Sequence, residues 1–218
     1  LSLPADRQGE FYHRFILGVY DLMERIVQEF PDLLIENCNG GGGRFDAGML
    51  YYCPQIWCSD DTDAFERTKI QYGTSFFYPV SAVGAHISAV PGHQTGRITP
   101  IETRAVTAMA GSFGYELDLN TLSDGEKQKV KEQIVRFKQD GPLIHNGLYY
   151  RLSNPMTDKF AVWEFVSENR TDVLVNGVIF RTEPNSRQYS IKLRGLLPEA
   201  DYRLEENGKV YKGSALMN

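Results

Sequence analysis

Residues 55–77 read QIWCSDDTDAFERTKIQYGTSFF and contain the transition that indicates the fold. The short apolar run that ends at Trp57 is typical of a buried strand, and the stretch from Ala64 onward has the periodicity of a helix. Between the two stands a group of carboxylates: Asp60, Asp61, Asp63 and Glu66. A strand, a loop and a helix in this order form the repeating unit of parallel α/β proteins.

The same unit recurs on both sides of this stretch. Residues 10–30 have the spacing of an amphipathic helix. The strand before the carboxylates is predicted over MLYYCPQIWCS (49–59), and further strands in LLIENC (33–38), SAVGAHISAV (81–90) and FGYELDL (113–119). Further helices are predicted in IETRAVTAMAGS (101–112) and SDGEKQKVKEQIVRFKQ (123–139), and Ser123 and Glu126 have the spacing of a capping box at the start of the latter. Alternation of strands and helices predicts a parallel sheet with crossover helices, either doubly wound or closed into a barrel.

The pattern changes after Gly141, where no further helix periodicity is found. Short β-type runs follow instead, separated by Asn-Pro, Asn-Gly and charged turns: GLYYRLSN (147–154), KFAVWEFVS (159–167), DVLVNGVIFR (172–181) and YSIKLRGLL (189–197). We therefore predict two domains, an α/β domain over 1–146 and an antiparallel β domain over 147–218. The segment QDGPLIHN (139–146) is interpreted as the linker between them.

Composition excludes several classes of protein. The chain has 218 residues, of which 42% are hydrophobic, and a net charge of -5 without a Lys/Arg block. A nucleic-acid or membrane partner is therefore not expected, and no run approaches the roughly 18 apolar residues of a membrane span. No signal-peptide pattern opens the chain. The three cysteines (Cys38, Cys53 and Cys58) are odd in number and close together, which favours reduced thiols in a cytoplasmic protein.

The glycine-rich segment ENCNGGGGRFD (36–46) directly follows a predicted strand. Glycines there allow backbone to approach a ligand closely or simply make a sharp loop. A phosphate site is not indicated, because neither G-x-G-x-x-G nor G-K-[ST] is present. Neither is a zinc site, because Cys53 and Cys58 do not form the close pairs that structural zinc uses. The sequence thus predicts no metal and no cofactor.

The carboxylates after Trp57 differ in their predicted roles. Asp63 directly precedes the helix and Glu66 falls in its first turn, so both are expected to cap or complement the helix N-terminus. Asp60 lies where the strand ends and its loop begins, the position that carries the chemistry in α/β barrels. An aromatic ring such as Trp57 beside a carboxyl group also suits the binding of a sugar. Catalysis by Asp60 is one interpretation, and an ordinary loop carboxylate is the other.

Several long motifs agree with one family in the same order along the chain. They are ENCNGGGGRFDAGMLYY (36–52), QIWCSDDTDAFERTKIQYGTS (55–75), GAHISAVPGHQTGR (84–97) and AGSFGYELDL (110–119). These motifs resemble the α-galactosidases of glycoside hydrolase family 36, in particular the bacterial branch that cleaves raffinose and melibiose. The resemblance covers residues 10–165 and weakens in the terminal β segment.

The resemblance implies a fold, a reaction and a set of site residues. The fold would be a (β/α)₈ TIM barrel followed by a C-terminal antiparallel β-sandwich. The reaction would be removal of terminal α-linked galactose with retention of configuration, by one aspartate as nucleophile and another as acid/base. The W-x-S-D motif maps the acid/base onto Asp60 and a wall of the galactose subsite onto Trp57. The C-x-G-G motif maps sugar contacts onto Cys38, Gly40 and Gly41.

One departure from the family pattern is important. The family's nucleophile lies in a K-W-D-x-N motif, which this sequence lacks. By the resemblance it would lie just before Leu1, so we expect the chain to be a fragment that carries barrel strands five to eight and most of the sandwich. A transferase of the raffinose-synthase type and a non-catalytic sugar-binding fragment are the alternatives. The expected partner is an oligosaccharide with terminal α-galactose, and the full-length protein is expected to be a homo-oligomer, such as a tetramer.

Overall fold

The computed structural model describes residues 3–44, 46–182, 184–185 and 188–218. This part of the chain contains six α-helices: α1 (Gln8–Glu29), α2 (Ala47–Tyr52), α3 (Ala64–Thr74), α4 (Ile101–Ala108), α5 (Asp124–Asn146) and α6 (Gly213–Met217). It also contains nine strands: β1 (Glu36–Asn37), β2 (Gln55–Ile56), β3 (Gly84–Ser88), β4 (Ser112–Glu116), β5 (Leu148–Arg151), β6 (Phe160–Val166), β7 (Val173–Ile179), β8 (Asp201–Arg203) and β9 (Val210–Lys212).

The first four strands are parallel and lie side by side in chain order. β1 pairs with β2, and β3 pairs with β4 over five residues. A single parallel bridge between Ile56 and Val83 joins the two pairs. Helix α3 connects β2 to β3, and α4 connects β3 to β4. The predicted α/β character of this half, with crossover helices between parallel strands, is confirmed.

Helices cover one face of β3 and β4. Ala85 and Ile87 of β3 form a buried cluster with Ile101 and Ala105 of α4 and Val130 of α5. Side chains alternate between the two faces of a strand. The residues that alternate with Ala85 and Ile87 along β3, and their partners in β4, therefore point to the opposite face. That face carries small and polar side chains: Gly84, His86 and Ser88 from β3, and Ser112, Gly114 and Glu116 from β4.

Helix α1 is amphipathic but has no buried residue within the described chain. Large apolar side chains along it are exposed, among them Tyr12, Phe15, Leu17 and Leu22. Its most extensive described contact with another helix is with the short α2. None of the described helices combines the length and the apolar character that crossing a membrane requires.

The C-terminal part contains an antiparallel sheet in the order β5–β6–β7. One face packs against the helices, because Trp163 and Phe165 of β6 share a buried cluster with Ile144 of α5. The other face holds Val166 in a cluster with Leu196 and Tyr202, beside the hairpin of β8 and β9. The antiparallel character predicted for this part is confirmed. The division at residue 147 stays a prediction, and a hydrophobic core extends across it.

Three local predictions were wrong. The segment 139–146 is not a linker, because α5 continues through Pro142 to Asn146 while Ile144 is buried against β6. The strand predicted over 49–59 is reduced to Gln55–Ile56, because residues Ala47–Tyr52 form helix α2. Residues 189–197 do not form a strand. In that segment the N–H of Leu193 donates to the carbonyl of Leu216, and the N–H of Arg194 donates to the side chain of Glu164.

Glu164 is a fully buried carboxyl group in the middle of β6. Its Oε1 accepts a hydrogen bond of 2.7 Å from the N–H of Arg194. Its Oε2 has no hydrogen-bond partner among the described residues. Burial raises the pKa of Glu164 to about 7, although the N–H and the charge of Arg194 act to lower it.

This raised pKa predicts that protein stability falls as the pH rises. Between pH 4.5 and 7 the folded state holds a proton that the unfolded state has released, so the free energy of unfolding decreases with increasing pH. The loss of stability from this group is on the order of 3 kcal/mol. The Glu164→Gln protein should lack this loss and be the more stable protein at pH 8. Urea unfolding of both proteins at pH 5 and pH 8 measures the difference, and equal pH dependence in both would contradict the prediction.

Candidate functional site

The carboxyl ends of β1 and β2 bring two predicted site segments together. The register pairs Asn37 with Ile56, and the N–H of Trp57 donates a 2.8 Å hydrogen bond to the carbonyl of Asn37. Cys38 and the glycines follow β1, while Trp57 and Asp60 follow β2. Parallel pairing therefore places the glycine-rich loop beside the loop that carries Asp60.

The glycine-rich loop packs directly on the loop of Asp60. Gly41 has a φ of +73°, and a Cβ atom there would lie 2.8 Å from the Asp60 nitrogen and 3.3 Å from Asp60 Oδ2. A Cβ atom on Gly42 would lie 2.8 Å from the carbonyl oxygen of Cys58. Gly40 also has a positive φ, of +62°, but the space beside it is open. A side chain at Gly41 or Gly42 would thus clash with the loop of Asp60, which explains these two glycines without a ligand. The sugar contacts assigned to Cys38, Gly40 and Gly41 stay predictions.

The side chain of Asp60 is exposed beside Trp57. Trp57 Nε1 donates a 3.0 Å hydrogen bond to Asp60 Oδ1. An indole N–H can only donate, so it occupies one carboxyl oxygen as an acceptor and leaves Oδ2 to carry any proton. Such a carboxyl group can give a proton to a bound molecule or take one from it.

The neighbouring Asp61 stabilises its own loop. Its Oδ1 accepts a 3.0 Å hydrogen bond from the N–H of Asp63, and its own N–H donates to Ser59 Oγ at 3.1 Å. Both contacts close turns within the loop that leads into α3. Asp60 is thus distinguished from Asp61 by its contact with Trp57.

Asp63 is the N-cap of α3, as predicted. Its Oδ1 accepts from the N–H groups of Phe65 and Glu66, its Oδ2 accepts from Thr95, and its buried carboxylate pairs with Arg97. Burial is the largest single influence on its pKa and acts to raise it. The hydrogen bonds and the Arg97 charge outweigh burial and hold the pKa of Asp63 below its usual value. The carboxylate therefore stabilises the helix start and is not a free acid.

Arg67 of α3 contacts both the loop of Asp60 and the ring of Trp57. Its guanidinium is almost fully buried, and Nη1 donates to the carbonyl of Ser59 at 3.2 Å. Another nitrogen donates to the carbonyl of Gly84 in β3, and Cζ lies 4.7 Å from the centre of the Trp57 ring. Burial lowers the pKa of Arg67, but a guanidinium stays charged in proteins. Arg67 thus ties the Asp60 loop to the neighbouring strand.

His86 is a site residue that the sequence reasoning missed. Its ring stacks on Trp57 with centres 4.8 Å apart and an angle of 20° between the planes. Its Nδ1 lies 3.3 Å from Oε2 of Glu116, at the carboxyl end of β4. A signal was present, because His86 alternates with Gly84 and Ser88 along a strand whose other face is apolar.

Metal binding finds no support among the residues that the structure describes. No group of three or more His, Cys, Asp or Glu side chains there could hold a metal ion. The three cysteines are free thiols: Cys53 is buried, and Cys38 and Cys58 are half-buried. The site therefore offers a carboxyl group, an indole and an imidazole rather than a ligand cluster.

Comparison with known proteins identifies both parts of the chain. The melibiase family model matches residues 2–147, and the model of the glycosyl hydrolase family 36 C-terminal domain matches residues 160–218. The bifunctional α-galactosidase/sucrose kinase AgaSK of Mediterraneibacter gnavus is 59% identical over 96% of this chain and 22% of its own length. The α-galactosidase AgaA of Geobacillus stearothermophilus is 49% identical over 99% of this chain and 30% of its own length.

A solved structure of a variant of the Geobacillus AgaA in complex with raffinose has the same fold. It matches with a TM-score of 0.94 and 48% identity, over 99% of this chain and 30% of that chain. The chain thus spans less than a third of the length of these relatives. The chain belongs to the melibiase family and carries the family 36 glycosyl hydrolase C-terminal domain.

Proposed function

We propose that the chain is part of a retaining α-galactosidase in which Asp60 is the acid/base. The observation that carries this proposal is the placement of Asp60. It lies after a parallel strand, with an exposed carboxyl group hydrogen-bonded to Trp57 and a glycine-rich loop packed against it. The substrates are oligosaccharides with terminal α-galactose, such as raffinose and melibiose, in line with the raffinose complex of the related AgaA variant.

Retaining hydrolysis needs two carboxyl groups roughly 5 Å apart on either side of the anomeric carbon. In the first step Asp60 gives its Oδ2 proton to the glycosidic oxygen of the leaving group, while the nucleophile forms a bond to galactose. In the second step Asp60 takes a proton from water, and the water oxygen displaces the nucleophile. The family's K-W-D-x-N nucleophile motif is absent from this sequence, so the proposal places the nucleophile on another part of a longer protein.

The proposed architecture of the longer protein follows from the same reasoning. The four parallel strands would be strands five to eight of a (β/α)₈ barrel, and the antiparallel part would belong to a C-terminal β-sandwich. Helix α1 supports this, because its exposed apolar side chains lack cover within the described residues. A further part of the protein packed on α1 would bury them.

The test of the proposed function is product analysis with the full-length protein. Incubation with raffinose should release galactose and sucrose, and the galactose should appear first as the α-anomer. Added sucrose should not divert galactose into longer products, since a transferase would use the sugar in place of water. No release of galactose from raffinose or melibiose would reject the proposal.

Two glycine variants test how closely Asp60 is positioned. Gly208→Ala and Gly41→Ala introduce comparable backbone strain, because both positions have positive φ, but only the Cβ at Gly41 meets Asp60. We expect Gly41→Ala to lower kcat/KM for raffinose by about 10- to 100-fold, and Gly208→Ala to lower it far less. Thermal unfolding of both variants provides the folding control. Equal losses of activity would show that the contact with Asp60 is unimportant.

Assembly and location complete the proposal. We expect the full-length protein to be a homo-oligomer, such as a tetramer, located in the cytoplasm. The free thiols of the three cysteines favour a reducing compartment. Mass measurement in solution and fractionation of the source cells test the two statements separately.

A further inference from the structure

We propose that His86 is a positioning residue for the acid/base: it fixes the Trp57 ring, and this ring determines which oxygen of Asp60 carries the proton. This inference rests on the proposed function. It assigns a role to β3, a strand from which the proposed function takes no residue. His86 is in the middle of β3, two strands away from β1 and directly beside β2.

The imidazole of His86 and the indole of Trp57 are in direct contact. The imidazole lies nearly parallel to the indole, with ring centres 4.8 Å apart. The Trp57 ring also contacts the guanidinium of Arg67, 4.7 Å from its centre, and stacking on the imidazole further restricts its χ angles. Aromatic rings in this arrangement attract each other beyond the effect of the area that they bury.

Residues of β4 hold His86 itself in place. A Cβ atom on Gly114 would lie 3.3 Å from His86 Cδ2, so the missing side chain at Gly114 leaves the space that the imidazole needs. Glu116 Oε2 lies 3.3 Å from His86 Nδ1 and favours a proton on that nitrogen. The contacts therefore run from Glu116 through His86 and Trp57 to Asp60.

The hydrogen bond from Trp57 determines which oxygen of Asp60 carries the proton. Trp57 Nε1 donates to Oδ1, and an atom that accepts from an N–H is disfavoured as the site of the acidic proton. The proton then resides on Oδ2, from which it passes to the glycosidic oxygen. If Trp57 rotates, either oxygen can carry the proton and the productive geometry is populated less often. The transfer is most sensitive to this when the leaving group is a poor one.

Kinetics with two substrates of the full-length protein test this role. Raffinose has a sugar leaving group that needs a proton, whereas a nitrophenyl α-galactoside has a leaving group that needs little. We expect His86→Ala to lower kcat/KM for raffinose by about 10- to 100-fold and to lower kcat/KM for the nitrophenyl substrate far less. His86→Phe keeps a stacking ring and should restore most of the raffinose activity. His93→Ala, at an exposed loop position, is the matched control and should change neither value.

Each other outcome rejects a defined part of the inference. Equal losses on both substrates in His86→Ala would indicate a general structural role and overturn the positioning role. Equal losses on raffinose in His86→Ala and His86→Phe would mean that the imidazole acts otherwise than by stacking. Inactivity of the unsubstituted protein on both substrates would reject the proposed function together with this inference, whereas an active protein with normal His86→Ala kinetics would reject the inference alone.

Discussion

The Asp60→Asn protein is expected to have a kcat/KM for raffinose about 1,000-fold below that of the unsubstituted full-length protein. Asparagine has the same shape and still accepts the hydrogen bond from Trp57 Nε1, so the fold and the neighbouring loop should be preserved. The amide has no acidic proton to give to the leaving group. A nitrophenyl α-galactoside, which needs little protonation, should lose much less of its kcat/KM.

Asp61→Asn is the matched control for this prediction. The two residues are adjacent in one loop, and both changes replace a carboxyl group with an amide of the same shape. The Asp61 side chain accepts only from the N–H of Asp63 among the described residues, a bond that an asparagine oxygen can also accept. Its activity should therefore remain close to that of the unsubstituted protein. If Asp61→Asn were the more harmful change in a folded protein, the acid/base assignment would be wrong.

The 218-residue chain by itself is expected to show no α-galactosidase turnover. It carries Asp60 but lacks the K-W-D-x-N motif of the nucleophile, and a retaining mechanism needs both carboxyl groups. Within the described residues β1 and β4 each pair with one neighbouring strand only, and such open edges favour self-association. The purified chain should therefore release no nitrophenol from a nitrophenyl α-galactoside and should elute as aggregates or self-associated species.

Activity should return when the remaining part of the proposed enzyme is supplied by co-expression. Supplying the same part with Asp60→Asn in the 218-residue chain provides the control and should restore little raffinose hydrolysis. Sustained turnover by the purified chain alone would place a nucleophile within these residues. The proposal that the chain is one part of a longer enzyme would then be abandoned.

Features set by residues close in sequence could be predicted. The strand, loop and helix of residues 55–77 follow from local periodicity, and Asp63 caps α3 as expected. Ser123 and Glu126 form the predicted capping box at the start of α5, with the Ser123 N–H donating to Glu126 Oε2 at 2.9 Å. Such caps depend on three or four neighbouring residues, and their signals are therefore present in the sequence.

Features set by contacts between distant residues could not be predicted. Residues 139–146 were interpreted as a linker, but Ile144 is buried against β6 and α5 continues to Asn146. The close approach of Gly41 to the Asp60 backbone in another loop was not predicted, and the sugar contact of Gly41 stays a prediction. Within the candidate site, Asp60 and Trp57 belong to one short motif, W-x-S-D, and their contact is therefore local in sequence. The stacking partner His86 comes from a different strand, and no local pattern specifies that contact.

The hydrophobic core that crosses residue 147 has a consequence for the evolution of this gene. Ile144 of α5 and Trp163 and Phe165 of β6 are buried against each other. Recombination at a junction between them would combine surfaces that were never selected to fit, leaving cavities or clashes at a cost of several kcal/mol. The β-rich segment should therefore be inherited together with the helices before it, and separate phylogenies of the two segments should have the same branching order.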